Sequence, residues 1–157
     1  MIGQIYTFFT LEMVYLWLNL GVLPFWIVLI IFPQSQICRV FITSIFPIFI
    51  LSLAYTYLLY IVYLDAYNFL QNFNLYLGLD EISSLFENKS FLILFWVHFL
   101  AMNLFCGGWI VKDSTIFNMN RVLVSLPLIV TYLIGPIGIM IYWILRLFYA
   151  KRISLYD

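Results

Sequence analysis

Four stretches of this chain run for about twenty residues or more with almost no charge, at about 11–32, 40–63, 91–111 and 122–146. A helix rises about 1.5 Å per residue, so some twenty apolar residues cross the roughly 30 Å hydrocarbon layer of a bilayer. Composition points the same way. Of the 157 residues, 66% are hydrophobic and 9% charged, where a soluble domain has about 25% charged residues. Mean hydropathy is +1.07. The expectation is an all-α integral membrane protein: one domain over 1–157, a four-helix bundle with a single longer interfacial loop at 64–90 between the second and third spans.

The connections constrain this bundle further. Pro33 stops the first span, and "PQSQICR" is a short polar turn that sends the second span back antiparallel. Residues 64–90, "LDAYNFLQNFNLYLGLDEISSLFENKS", are too polar to span; they fit a connector containing short amphipathic helices at the membrane interface. Pro24, Pro47, Pro127 and Pro136 fall inside apolar stretches, which predicts local kinks there. Arg39, Lys112 and Arg121 fall on one side of a four-span chain and Lys89, Arg146, Lys151 and Arg152 on the other, so loop charge leaves orientation nearly tied.

Other function classes find no support. Seven basic and seven acidic residues cancel without any run of like charge, which argues against a nucleic-acid partner or a polybasic lipid-binding tail. Cys38 and Cys106 lack a Cys-x-x-Cys or His-rich setting and read as free thiols packed as small apolar groups. One histidine without paired carboxylates or clustered thiols leaves too few ligands for a metal site, and no cofactor is expected. The start, "MIGQIYTFFTLEM", has neither a basic n-region nor a small-residue cleavage site, so no cleavable targeting segment is expected.

The third span, "WVHFLAMNLFCGGWIV", carries polar groups that a lipid-embedded helix would otherwise avoid. At about 100° per residue, Trp96, Leu100, Asn103 and Gly107 share one face, while His98, Met102, Phe105 and Trp109 share another. His98 and Asn103 are thus about 140° apart and do not form a ready pair. Each has a bland reading as a satisfied interhelical contact and a sharper one as a ligand or proton-transfer group. Gly107 and Gly108 leave room for a neighbouring backbone or a flat ligand. In the second span Tyr57, Tyr60 and Tyr67 lie near one stripe with Tyr63 adjacent, ending at Asp65. Their hydroxyls would serve an interfacial belt, helix-to-helix hydrogen bonds or a ligand's polar end. Glu12 and Asn19, seven apart, share a face of the first span, and Lys112, Asp113 and Arg121 form a compact charged turn after the third.

Taken together, "NLGVLPFW" (19–26), "YTYLLYIVY" (55–63), "WVHFLAMNLFCGGWIVKD" (96–113) and "GPIGIMIY" (135–142) resemble the ABA4-like family across about residues 11–150. The most specific part is the third span, with Trp96, His98, Leu104, Phe105 and Asp113 in register. The resemblance implies a multi-pass protein of a bacterial inner membrane or a plastid or thylakoid membrane that acts on, or binds, xanthophylls; plant members of the family are required to make neoxanthin. It implies opening of an epoxide into an allene, which needs a base and an acid. His98 would be one, and Asp113, Tyr57 or Tyr60 the other. Asn103, Trp96, Tyr57, Tyr60, Asn19 and Trp109 would contact the substrate. Asn103 stands where family members often have Asp, which weakens proton transfer more than hydrogen bonding. The implied partners are membrane lipid, a carotenoid or other polyene, and other membrane subunits. Five Trp, twelve Tyr and sixteen Phe suit a polyene. The competing expectation is a non-catalytic structural or pigment-binding subunit of a larger membrane complex. A transporter is disfavoured, because a single intramembrane histidine provides little polar pathway.

Overall fold

A computed structural model describes residues 10–42, 44–64 and 76–150. It contains α1 (Leu11–Ile31), a π-helical turn (Cys38–Ile42), α2 (Phe46–Leu64), α3 (Leu79–Glu87), α4 (Lys89–Ile116), α5 (Arg121–Leu133) and α6 (Gly135–Ala150). The protein is all-α, with no strand among the described residues. The N-terminal segment, Asp65, Tyr67, the rest of 65–75, and Lys151 and Arg152 lie outside the described residues. Among the described residues two helices, α1 and α4, are long and apolar enough to cross a membrane.

Local chemistry sets the helix boundaries. Helix α1 ends just before Pro33, as its missing N–H and its constraint on the preceding residue require. Pro47 and Pro136 each occupy the second position of a helix, where the absent N–H costs nothing; only Pro24 and Pro127 are interior. The connector at 64–90 contains α3, and Asn88 then starts α4 by accepting hydrogen bonds from the backbone N–H groups of Ser90 (2.9 Å) and Phe91 (3.2 Å). Helix α4 ends in a Schellman turn. Asn118 takes the left-handed conformation (φ 49°), while Met119 N–H bonds to Ser114 O and Asn118 N–H to Thr115 O. Two residues on, the Asn120 side chain accepts from Val122 N–H at 2.9 Å and caps α5.

The fourth apolar stretch departs from expectation. Instead of one helix over 122–146, the chain leaves helical geometry at Ile134 (φ −142°, ψ 81°) and restarts at Gly135. Helix α6 folds back along α5: Gly138 packs so closely on Thr131 that an added Cβ would overlap the Thr131 backbone and hydroxyl. In a straight helix seven residues would separate the two by about 10 Å. With 13 and 16 residues, α5 and α6 are about 20 and 24 Å long, each too short to cross a hydrocarbon layer upright. Hydropathy finds 25 apolar residues here and reads one span; Gly135-Pro136 and Gly138 make it a hairpin.

Contacts divide the chain into two compact units. The first combines Met1–Gly21 with Ile50–Leu100, and its core is Leu58, Ile93, Leu94 and Val97, with Leu11, Val14, Leu18, Tyr55 and Leu59 packed around them. The second combines Val22–Phe49 with Ala101–Asp157. Its buried residues include Trp26, Leu29, Leu104, Ile110, Val124, Leu128 and Tyr142. Trp26 lies over Gly107, where an added Cβ would stand 2.8 Å from its indole, and it meets the Tyr132 ring at 5.3 Å.

Candidate functional site

In the first unit, α1 and the start of α4 run side by side in the same direction. Glu12 pairs with Lys89 at 3.5 Å, and seven residues further along each helix Asn19 Oδ1 accepts from Trp96 Nε1 at 3.2 Å. The Asn19 amide is satisfied on its other side by donating to Tyr15 O at 2.7 Å, and the Tyr15 and Trp96 rings lie 5.9 Å apart. Glu12, Tyr15, Lys89 and Trp96, with Leu11, Leu92 and Ile93, line an apolar groove of about 490 Å³. His98 is exposed and makes no hydrogen bond among the described residues; its ring lies 6.4 Å from that of Tyr55. Tyr57 and Tyr60 are also exposed, so the sequence-derived tyrosine stripe faces outward.

The second unit contains a buried ionic network. Asp113 Oδ2 accepts from Arg146 Nε at 2.7 Å and from the Tyr142 hydroxyl at 2.6 Å, while Asp113 Oδ1 accepts from a terminal Arg146 nitrogen at 3.4 Å. The Arg146 and Asp113 side chains are 1% and 8% exposed. The guanidinium lies between the rings of Phe117 (4.9 Å) and Trp143 (4.8 Å), which favour a cation over their faces. Trp109 closes the assembly, edge-on to Tyr142 at 5.5 Å and stacked on Trp143 at 6.1 Å. A buried carboxylate needs both a counter-charge and hydrogen bonds to offset its desolvation, and Arg146 and Tyr142 supply them.

The tip of the α5–α6 hairpin meets Asn103. This residue sits at the middle of α4, is 6% exposed, and lies so close to Gly135 that any side chain there would collide with Asn103 Oδ1. Its Nδ2 is fully buried with no hydrogen-bond partner. An unpaired buried amide donor costs about 1–3 kcal/mol, so the tip of the hairpin presents a donor in want of an oxygen. Around this unit, Cys38 is buried in the π-helical turn, and burial pushes its thiol up to about 11.

The sequence-derived site residues therefore fall into separate settings. Trp96 and Asn19 are joined; His98, Tyr57 and Tyr60 face outward without hydrogen bonds linking them. Trp109 and Asp113 belong to one network, and Asn103 stands at the hairpin tip. His98 and Asp113, the expected acid–base pair, are fifteen residues apart on the single helix α4, about 22 Å along its axis. Sequence reasoning missed Tyr142 and Arg146 and placed Arg146 on the side opposite Lys112; the fold-back of α6 reverses that and sets Arg146 on Asp113. The signal was there: the one arginine of an apolar stretch, four residues after a tyrosine, is a pair on one helix face looking for a carboxylate.

An all-helical protein with two membrane-length helices, a folded-back helical hairpin and an ion pair buried beneath it defines the class. A profile of the ABA4-like family, described as ABA DEFICIENT 4-like, matches residues 13–142, and the chain belongs to that family. Protein ABA DEFICIENT 4, chloroplastic, of Arabidopsis thaliana is 27% identical over 129 residues, which is 80% of this chain and 57% of that relative's length. The chain thus spans less than two-thirds of the curated relative it matches. No solved structure matches it.

Proposed function

We propose that this chain is a multi-pass protein of a plastid or bacterial membrane that binds or modifies a xanthophyll, with an oxygen of the pigment's end group held at the tip of the α5–α6 hairpin. Membership of the ABA4-like family over residues 13–142 supports the carotenoid class. The chloroplastic relative supports a plastid setting. One observation carries the placement: the buried, unpartnered Asn103 Nδ2 at a helix break. Broken helices at membrane depth mark binding sites because the backbone there is spared from lipid only when it lines a site or is buried in protein. Embedding itself is supported by the apolar outer face of α1, where Leu16, Trp17, Leu20, Ile27 and Ile31 are exposed, a surface water would not tolerate.

The reaction of this reading is epoxide-to-allene isomerisation. A C–H bond and a C–O bond break, the epoxide oxygen takes up a proton, and no oxidant is consumed. Asn103 donates a hydrogen bond to the oxygen but has no proton to give. Asp113 has both oxygens engaged by Arg146 and Tyr142, so it positions the hairpin rather than moving a proton. Other membrane subunits remain partners of this reading. The engaged carboxylate and the non-titrating Asn103 favour, as the second reading, pigment binding without catalysis.

Co-expression in a host that makes epoxidised xanthophylls, followed by pigment chromatography, tests both. A new xanthophyll isomer that disappears with Asn103→Leu is the expected result. A bound pigment with an unchanged profile selects the binding reading. No new isomer and no bound pigment would overturn the proposal.

A further inference from the structure

In the unit built from Val22–Phe49 and Ala101–Asp157, the described cations are Arg39, Lys112, Arg121 and Arg146, and Asp113 is the single described carboxylate. That carboxylate is consumed internally: although adjacent to Lys112 in sequence, Asp113 turns inward and gives its oxygens to Arg146 and Tyr142. Lys112 is exposed and has no ion-pair partner among the described residues. It stands over a cavity of about 400 Å³ walled by Leu104, Phe105, Gly108 and Trp109 of α4, by Ile42 of the π-helical turn, by Ser44 and Ile45 of the link that follows, and by Ile48 at the start of α2. From Lys112 the cavity follows α4 back to Leu104, eight residues or about 12 Å along the axis. Gly108 keeps it open, since beyond its Cα the nearest atom, Ile42 O, would be 3.9 Å from an added Cβ.

We infer that this cavity binds one chain of an anionic membrane glycerolipid, with the lipid phosphate against the Lys112 ammonium. The shape is that of an acyl-chain slot, mainly apolar with Ser44 on one wall and cationic at one end. The uncompensated charge disfavours a zwitterionic or cationic headgroup, because the single described carboxylate of this unit, Asp113, is already engaged and leaves none among the described residues to neutralise the headgroup's own ammonium. A lysine close to an anionic surface favours it by about fivefold. The first unit provides the contrast: its groove has a lysine at the mouth as well, but Lys89 is already paired with Glu12. The inference is independent of the carotenoid reading, because it uses neither Asn103 nor His98.

The test is native mass spectrometry of the full chain in mild detergent, offered phosphatidylglycerol and phosphatidylcholine of matched chains, with inorganic phosphate as a separate competitor. The wild type retains phosphatidylglycerol over phosphatidylcholine. Lys112→Gln lowers that preference about fivefold, Gly108→Leu fills the slot and lowers retention of both lipids, and Lys89→Gln changes neither. Unchanged preference in Lys112→Gln, an equal loss in Lys89→Gln, or full retention in Gly108→Leu would overturn the inference. Displacement of the lipid by inorganic phosphate alone would reduce it to a bare anion contact and overturn the lipid assignment.

Discussion

Two ion pairs tie α4 to its neighbours, and they differ in almost every physical respect. Lys89–Glu12, in the first unit, spans 3.5 Å with side chains 79% and 82% exposed. Arg146–Asp113, in the second, is 2.7 Å long, nearly wholly buried, and reinforced by the Tyr142 hydroxyl and two aromatic faces. The first gains little because solvent screens it and two long side chains must be ordered. The second is in debt for desolvation, so removing either charged member leaves the other buried and unpaired. One pair decorates a helix start. The other locks a hairpin whose tip presents Asn103.

The difference is measurable in stability. Arg146→Ala should destabilise the protein by about 3–5 kcal/mol, against no more than about 1 kcal/mol for Lys89→Ala, as read by unfolding in detergent. Equal effects would erase the distinction. A glycine pair sharpens it at the next level down. At Gly138 a methyl group meets the Thr131 backbone, so Gly138→Ala should cost about 1–3 kcal/mol through overpacking, while Gly21→Ala, with nothing within 4 Å of the new methyl, should be close to neutral.

The smallest expected effect concerns Cys38. Burial penalises its thiolate, raising the folded group from 9.0 to about 11. The unfolded chain therefore loses this proton first, and stability attributable to Cys38 declines as pH climbs from about 9 towards about 11. Maleimide labelling should be slow and should keep rising with pH beyond 9, where a thiol of ordinary pKa levels off, and unfolding should remove the protection. Fast labelling at neutral pH would contradict the burial.

Much of this was legible in the chain. The seven-residue spacing of Glu12 and Asn19 placed them on one face, and each meets a partner on α4 at the same spacing, Lys89 and Trp96. The 140° between His98 and Asn103 separated them in advance, and one is exposed while the other is buried. Gly107 anticipated a close approach, which Trp26 makes. What hydropathy could not reveal was direction. An apolar run of 25 residues looks the same straight or folded, and the fold-back depends on Gly135-Pro136 breaking the ladder and Gly138 admitting a backbone. With direction unknown, Arg146 was assigned to the wrong end, so the Asp113 network stayed hidden. The charged turn expected after the third span is built as a left-handed cap at Asn118 followed by the Asn120 N-cap of α5.

The hairpin is the claim on which the site depends, since it brings Gly135 to Asn103 and Arg146 to Asp113. Its most direct test is labelling from one side of sealed, oriented vesicles with a membrane-impermeant maleimide. Arg121→Cys and Tyr149→Cys, each at an exposed position near one end of the hairpin, are made in a Cys38→Ser, Cys106→Ser background. The folded-back arrangement predicts that both label from the same side; labelling from opposite sides would mean a single crossing helix and would contradict the account.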